Sequence, residues 1–346
     1  MTLRVEGGGN DELLGGDGSL PERGGPRTAR SALQWVSWIF GFAVLAAVII
    51  TAIHFSEERE LAHIAERAQP WWLAIAIVLQ ALTYLAQGET WRVVTRAAGV
   101  AVPLPMAFKL SLAKLFIDQA LPSAGISGTV VVAKALEQRG VSRAVVMAAV
   151  VVDSVSYYAA YVLTLAVALF ITVVGGHASP LIMAAALFFV IFSVVLTSAV
   201  LVLSGRSSVG PKWLKRVPLL KHALALLGEA DPKLARSLPL IFKSGLFQLA
   251  IFLLDSATVW VLIRSLGEVA SPTGVFASFM ISTLLRTIGI FPGGLGTFEA
   301  TSVLTLKLAG VPVAVALAST LLFRGLSFWL PMLPGLVFSR GARKVT

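Results

Sequence analysis

The chain has 346 residues, of which 57% are hydrophobic and only 13% charged, with a net charge of +10 and no cysteine. Soluble domains carry about a quarter charged residues, and the apolar residues here run in stretches long enough to cross about 30 Å of hydrocarbon, so the sequence reads as an all-α polytopic membrane protein. Without cysteine there can be no disulfide, thiolate metal site or cysteine nucleophile, and no polar stretch is long enough to form a nucleic-acid-binding domain.

Residues 1–30 are glycine-rich, mixed in charge and free of aromatics. Such a composition buries too little surface to offset ordering, which predicts a disordered tail. A first membrane half is expected over 31–203. It opens with an apolar run at 33–55, too long for a signal-peptide core, followed by a helix from the interfacial pair Trp71 and Trp72 towards Arg92. A hairpin over 104–138, broken at LPSAGISG (121–128), precedes two long apolar helices at 143–174 and 179–203. Residues 204–239 form the one sizeable polar interior segment. Its bases alternate with Trp213, Leu214, Leu220, Leu224 and Leu227, a pattern that suits either an interfacial helix on anionic headgroups or a solvated loop. A second half is expected over 240–339, with a hairpin at 272–310 broken by GIFPGGLGTFEA (289–300), and a basic tail over 340–346. The sum is about eight membrane helices plus broken re-entrant hairpins.

The basic 204–239 loop, the Arg92/Arg96 turn and the C-terminal tail should lie in the cytoplasm, and the glutamate-rich 54–70 loop outside. Counting crossings from these assignments makes residues 98–142 leave the cytoplasm and return to it, while 265–312 leave the outside and return there. Oppositely directed hairpins prompt a search for an inverted repeat. Pro122, Gly140 and Val141 recur 170 residues later as Pro292, Gly310 and Val311. At an offset of 168, Phe108 matches Phe276 and Asp118 stands opposite Arg286. Inverted halves with broken helices are a transporter pattern, in which the site lies near the midplane. A break at membrane depth survives only inside protein or beside a wet cavity. The other reading makes each break a surface loop between two full crossings, although segments 123–138 and 295–310 are short for that.

Ionised side chains at bilayer depth cost at least about 2.5–3.5 kcal/mol and are therefore paired or functional. Asp118, Asp153, Asp255, Arg286, Glu299 and Arg324 fall there, and Asp153, Glu299 and Arg324 are expected to join Asp118 and Arg286 in a midplane cluster. Structural ion pairs and a substrate path remain alternatives, and Lys109, Lys114 and Lys307 are expected to snorkel. GISG (125–128) matches an intramembrane serine-protease pattern, but none of the four histidines falls where it could serve as base. PGGLG lacks the Lys-Ser/Thr of a P-loop, and no paired histidines support a metal or haem, so no cofactor is expected.

FPGGLGTFEA, the following LAGVP and the helix LASTLLFRGLSFWLPMLPG resemble the signature of the lysylphosphatidylglycerol synthase/flippase transmembrane-domain family, the membrane part of the multiple peptide resistance factor proteins. The match is sharpest over 282–336, and LPSAGISG with the Asp118 segment fits the first half. The resemblance implies an inner-membrane domain that moves phospholipid between leaflets, with Pro292, Gly293, Gly294, Gly296, Glu299 and Arg324 on the lipid path and Asp118 and Arg286 less firmly placed. The chain ends at Thr346, so it is expected to lack the family's aminoacyl-transfer domain, to be no enzyme, and to carry a lipid other than lysylphosphatidylglycerol as readily as that one.

The sequence thus points to a phospholipid flippase of the bacterial inner membrane, with both termini cytoplasmic. Arg286 and Arg324 would hold phosphate, and Asp118, Asp153 and Glu299 a cationic headgroup moiety or protons. Besides membrane and lipid, a second copy or a separate lipid-modifying enzyme is the expected partner. The alternatives are a lipid-binding subunit of a glycosyl- or aminoacyl-transferase, without translocation, and a small-solute transporter.

Overall fold

The computed structural model describes residues 69–120, 126–176, 180–204, 227–288 and 294–335. The tail at 1–30, the apolar run at 33–55, most of the 204–239 segment, the C-terminal tail, and Pro122, Pro292 and Gly293 lie outside the described residues. Everything regular among the described residues is helical. The helices are α1 (Pro70–Ala97), α2 (Leu104–Ala120), α3 (Ile126–Glu137), α4 (Arg143–Val174), α5 (Pro180–Leu203), the short α6 (Pro232–Ala235), α7 (Leu238–Ser265), α8 (Pro272–Ile288), α9 (Thr297–Leu308) and α10 (Val313–Arg324), which runs on through a π turn at Gly325–Trp329. Five are long and apolar enough to cross a membrane: Pro70–Ala97, Arg143–Val174, Ile182–Val202, Leu238–Ser265 and Val313–Gly335. With 12 residues each, α3 and α9 reach only about 18 Å at 1.5 Å per residue, short of a full span.

Helices α1 and α7 run antiparallel through the centre of the molecule. The Gln69 N–H at the start of α1 donates to the Ser265 carbonyl at the end of α7 (2.7 Å), and Trp72 meets Trp260 edge-on with Arg264 over both rings. The start of α4 lies at the opposite end, where Asp231 N–H donates to Ala144 and Arg143 pairs with Glu229. Arg236 caps the end of α5 on that same side, donating to the carbonyls of Leu201, Val202 and Ser204.

The two halves repeat one another in detail. Lengths of 28, 17 and 12 residues for α1, α2 and α3 recur in α7, α8 and α9. Gly99 and Gly267, 168 residues apart, both adopt positive φ (81° and 83°), and each is followed by a residue whose N–H reaches back into the helix: Val100 to Thr95 and Glu268 to Ile263. Gly140 and Gly310 end α3 and α9 in the same way, with Val141 bonded to Leu136 and Val311 to Leu306. This is the glycine-terminated helix end in which only a residue without Cβ turns the chain at no steric cost. A side chain also closes each entry turn, Arg92 Nε on Val102 O (2.7 Å) and Trp260 Nε1 on Ala270 O (2.9 Å).

The hairpins therefore enter from opposite sides. The start of α8 touches the end of α9, where a Cβ on Gly274 would lie 3.3 Å from that of Ala309. In the first hairpin the inner tip is closed, where the end of α2 meets the start of α3 at Asp118 and Gly128. Inward-facing residues of α1, α4, α7, α8, α9 and α10 build the larger core around Tyr161, Phe252, Phe279, Phe298 and Phe323. A second core joins α2, α3, α6 and the first turns of α4.

At Gly140 and Gly310 a Cβ would meet nothing within 4 Å, so Gly140→Ala and Gly310→Ala load the backbone alone. Each should cost about 1–2 kcal/mol, read as a lower midpoint of thermal unfolding in detergent. Asn, which tolerates this region better, should restore part of the loss. A loss at one glycine and none at the other would break the equivalence of the repeats.

Candidate functional site

The break in the second half is organised by one carboxylate. Glu299 is the third residue of α9; its Oε2 accepts from the N–H of Gly296 (2.7 Å) and its Oε1 from Arg324 Nε (2.7 Å). The first contact is half of a capping box and satisfies an N–H that the helix start leaves open. The second ties α9 to the end of α10. Both side chains are buried, Glu299 1% and Arg324 3% exposed. The Arg324 guanidinium also lies over the rings of Phe328 (4.3 Å) and Phe298 (5.6 Å), which suits its planar, weakly hydrated charge.

Two glycines of this break are indispensable on geometric grounds. Gly296 has φ 81° and Gly294 φ 66°, and a Cβ on Gly294 would run into Cγ of Arg286. The stem of Arg286 thus rests on bare backbone. Its guanidinium, 5.8 Å from the Phe298 ring, forms no ion pair among the described residues and is within electrostatic reach of Tyr157, Asp255 and Arg324.

At the first break Asp118 occupies the place of Arg286 in its half. Its Oδ1 accepts from the N–H of Gly128 (2.8 Å) and its Oδ2 pairs with Lys114 Nζ (3.0 Å). A Cβ on Gly128 would lie 2.5 Å from Asp118 Oδ1, so glycine is required for that approach. Lys114 does not snorkel: its side chain, like that of Asp118, is only 17% exposed, and it is within reach of Asp153 and Tyr157. The four-residue spacing of Lys114 and Asp118 on one helix face was the available signal.

Asp153 does not join Glu299 and Arg324. It accepts from Gln248 Nε2 (2.8 Å) on α7 and faces Lys114. Asp255 accepts from Gln80 Nε2 (3.2 Å) on α1, so both Gln–Asp bonds join one half to the other, and Gln80 and Gln248 are themselves repeat equivalents. Two further side chains could not be found by charge: Tyr84 donates to Leu326 O (2.7 Å) and Gln119 to Ser327 O (3.3 Å). They take up carbonyls of the π turn, a local widening that frees backbone acceptors and is frequent at functional sites.

The charges therefore fall into two sets. Glu299 and Arg324 form a dry clamp. Lys114, Asp118, Asp153, Asp255 and Arg286 are partly exposed, and Tyr157 is within reach of Lys114, Asp153 and Arg286. Among the described residues no three His, Cys, Asp or Glu side chains converge as a metal site would require.

Removing one partner of the buried pair should be worse than removing both. Glu299→Ala should cost about 3–5 kcal/mol, and the double variant Glu299→Leu with Arg324→Met clearly less, by unfolding in mixed micelles. Additive losses would refute the clamp.

Residues 38–335 match the family model described as the lysylphosphatidylglycerol synthase TM region. A UPF0104 membrane protein of Methanocaldococcus jannaschii is 24% identical over 327 residues, covering 90% of this chain and 94% of the relative. A UPF0104 membrane protein of Methanothermobacter thermautotrophicus is 30% identical over 80 residues, 23% of this chain and 24% of its own. With a match across almost the whole helical region, this membrane protein belongs to the lysylphosphatidylglycerol synthase transmembrane-region family.

Proposed function

We propose that the chain moves a phospholipid with an anionic or aminoacylated headgroup between leaflets of the cell's inner membrane, without chemistry of its own and without a cofactor. One observation carries this reading: two hairpins entering from opposite sides bring partly exposed, opposite charges to matched depth. Asp118 and Arg286 each lie 14 residues past the start of their helices, about 21 Å along the helix axis. Charges left even partly exposed at such depth are read as facing a cavity, because hydrocarbon would not tolerate them.

A headgroup entering between the hairpins would meet Arg286 as the phosphate partner, with the strength and geometry of a charge-assisted bond. Asp153 and Asp255 would face an amine. Asp118 is already shared between Lys114 and Gly128, and Glu299 with Arg324 would hold the frame. Bases flanking the start of α7 and the end of α1 favour a cytoplasmic position for those ends, and both chain termini would lie on that side. A second copy or a separate lipid-modifying enzyme would be the protein partner.

The test is transbilayer movement of headgroup-labelled phosphatidylglycerol, lysylphosphatidylglycerol and phosphatidylethanolamine in vesicles holding the purified protein. Arg286→Ala should slow movement about ten-fold or more, the loss of one charge-assisted hydrogen bond, and Arg286→Lys should retain part of it. If no lipid moves, with or without a proton gradient, while lipid still binds, the chain is a lipid-holding subunit for another enzyme.

A further inference from the structure

The repeats match in sequence position but not in packing. Helix α4 is closed onto α7: Ser156 Oγ lies 2.9 Å from Ser244 Oγ, Gln248 reaches Asp153, and a Cβ on Gly245 would lie 4.0 Å from that of Ser156. On the α4 side Ala148, Val151 and Val152 are fully buried, in the core against which Leu240 and Ile241 of α7 pack.

The equivalent seam, between α1 and α10, is open among the described residues over the first turns of α1, and Tyr84 further along bonds the Leu326 carbonyl. Leu73 and Ile77 of α1 face Ala318, Leu321, Leu322 and Gly325 across a groove of about 570 Å³ with almost no polar lining. Leu321, Leu322 and Gly325 are the counterparts, 170 residues on, of Val151, Val152 and Val155, and Ile77 is the counterpart of Gly245. Leu322 is 37% exposed where its counterpart Val152 is fully buried. The small residue has changed sides, since Gly245 lies on α7 but Gly325 on α10. Among the described residues a Cβ on Gly325 would meet nothing within 4 Å, so none of them takes the space that Ile77 could fill.

The two seams also lie at opposite ends of the molecule. Leu73 and Ile77 belong to the first turns of α1, beside the end of α7, whereas Ile241 and Gly245 belong to the first turns of α7, beside the start of α4. One seam therefore faces one leaflet and its twin the other. An open apolar slot in a bilayer must be filled, and its volume and apolar lining suit a single hydrocarbon chain.

We propose that the α1–α10 groove binds the acyl chain of a lipid, and that it is the open member of two lateral gates whose closed twin is the α4–α7 seam. In the exchanged state Ile77 would settle on Gly325, closing the first gate, while α4 would part from α7 and expose Asp153 and Gln248 to the opposite leaflet. This deepens the transport reading and rests on it for the gate, but the acyl-chain site stands by itself.

Both parts are tested in one reconstituted system. Phosphatidylglycerol with a photoreactive group in its acyl chain should label Leu73 and Leu322 about five-fold more than Phe188 and Val195, which face lipid on α5. That ratio corresponds to the packing energies that hold helices together in lipid. Gly325→Leu and, separately, Ala318→Leu should return the groove to the α5 level. Labelling of the wild type no higher than on α5 overturns the site, whether bulk lipid, residues 33–55 or a second copy fills the groove. For the gate, Ser156→Cys with Ser244→Cys, in a chain that has no other cysteine, should form a disulfide that stops headgroup movement while groove labelling persists, and reduction should restore movement. Unchanged movement in the cross-linked protein overturns the gate. If the wild type moves no lipid at all, the transport reading and the gate both fail, and the labelling ratio still decides the acyl-chain site.

Discussion

In hydrocarbon a helix can be broken only if the chain itself supplies partners for the backbone groups released, because no water is there to do so. The polar side chains at the breaks meet that demand. Gly128 N–H is taken by Asp118 and Gly296 N–H by Glu299. The π turn after α10 raises the same demand for carbonyls, met by Tyr84 from α1 and Gln119 from α2. Those last two bonds come from the opposite half, so satisfying the backbone also binds the two repeats together.

This constraint decides which charges are committed to the frame. Glu299 spends one oxygen on a helix start and the other on Arg324, inside a ring of Phe298, Phe323 and Phe328. What the pair does is fix α9 against α10 and hold Gly294 where Arg286 must pass. Arg286, lying on that glycine with its guanidinium uncommitted to any carboxylate among the described residues, takes its position from the clamp. The clamp and Arg286 are thus successive links, and a change at Glu299 would act through the placement of Arg286.

Much of this was legible in the sequence, for reasons that can be named. Long apolar runs with bases at one set of ends require membrane helices, and Gly140-Val141 with Gly310-Val311 are visible because a positive φ leaves few choices of residue. The grouping of Asp153 with Glu299 and Arg324 was not correct. Charge and approximate depth say nothing of which face of a helix a residue occupies, and the polar partner of Asp153 is a neutral glutamine on α7. Lys114 was misassigned because distance from a helix end predicts snorkelling, whereas an acid four residues on offers a nearer partner. Tyr84 and Gln119 left no signal, since their role depends on a π turn that no local pattern announces.

The unequal seams also follow from the physics of the solvent. Between helices in lipid there is no hydrophobic driving force, so a closed seam is held by close packing and by polar contacts of under about 2 kcal/mol each. The α4–α7 seam is built that way, with Ser156 on Ser244, Gln248 on Asp153 and a glycine to admit the partner helix. At the α1–α10 seam Leu326 stands where Ser156 does, Ala76 where Ser244 does, and Phe323 where Asp153 does. Its polar contact among the described residues, Tyr84 on the Leu326 carbonyl, is already made with the groove open, so closing the groove would gain packing and no pair of polar side chains. The sequence therefore weights the two seams differently: one closes on itself through side-chain bonds that lipid cannot replace, and the other has no such pair to close it.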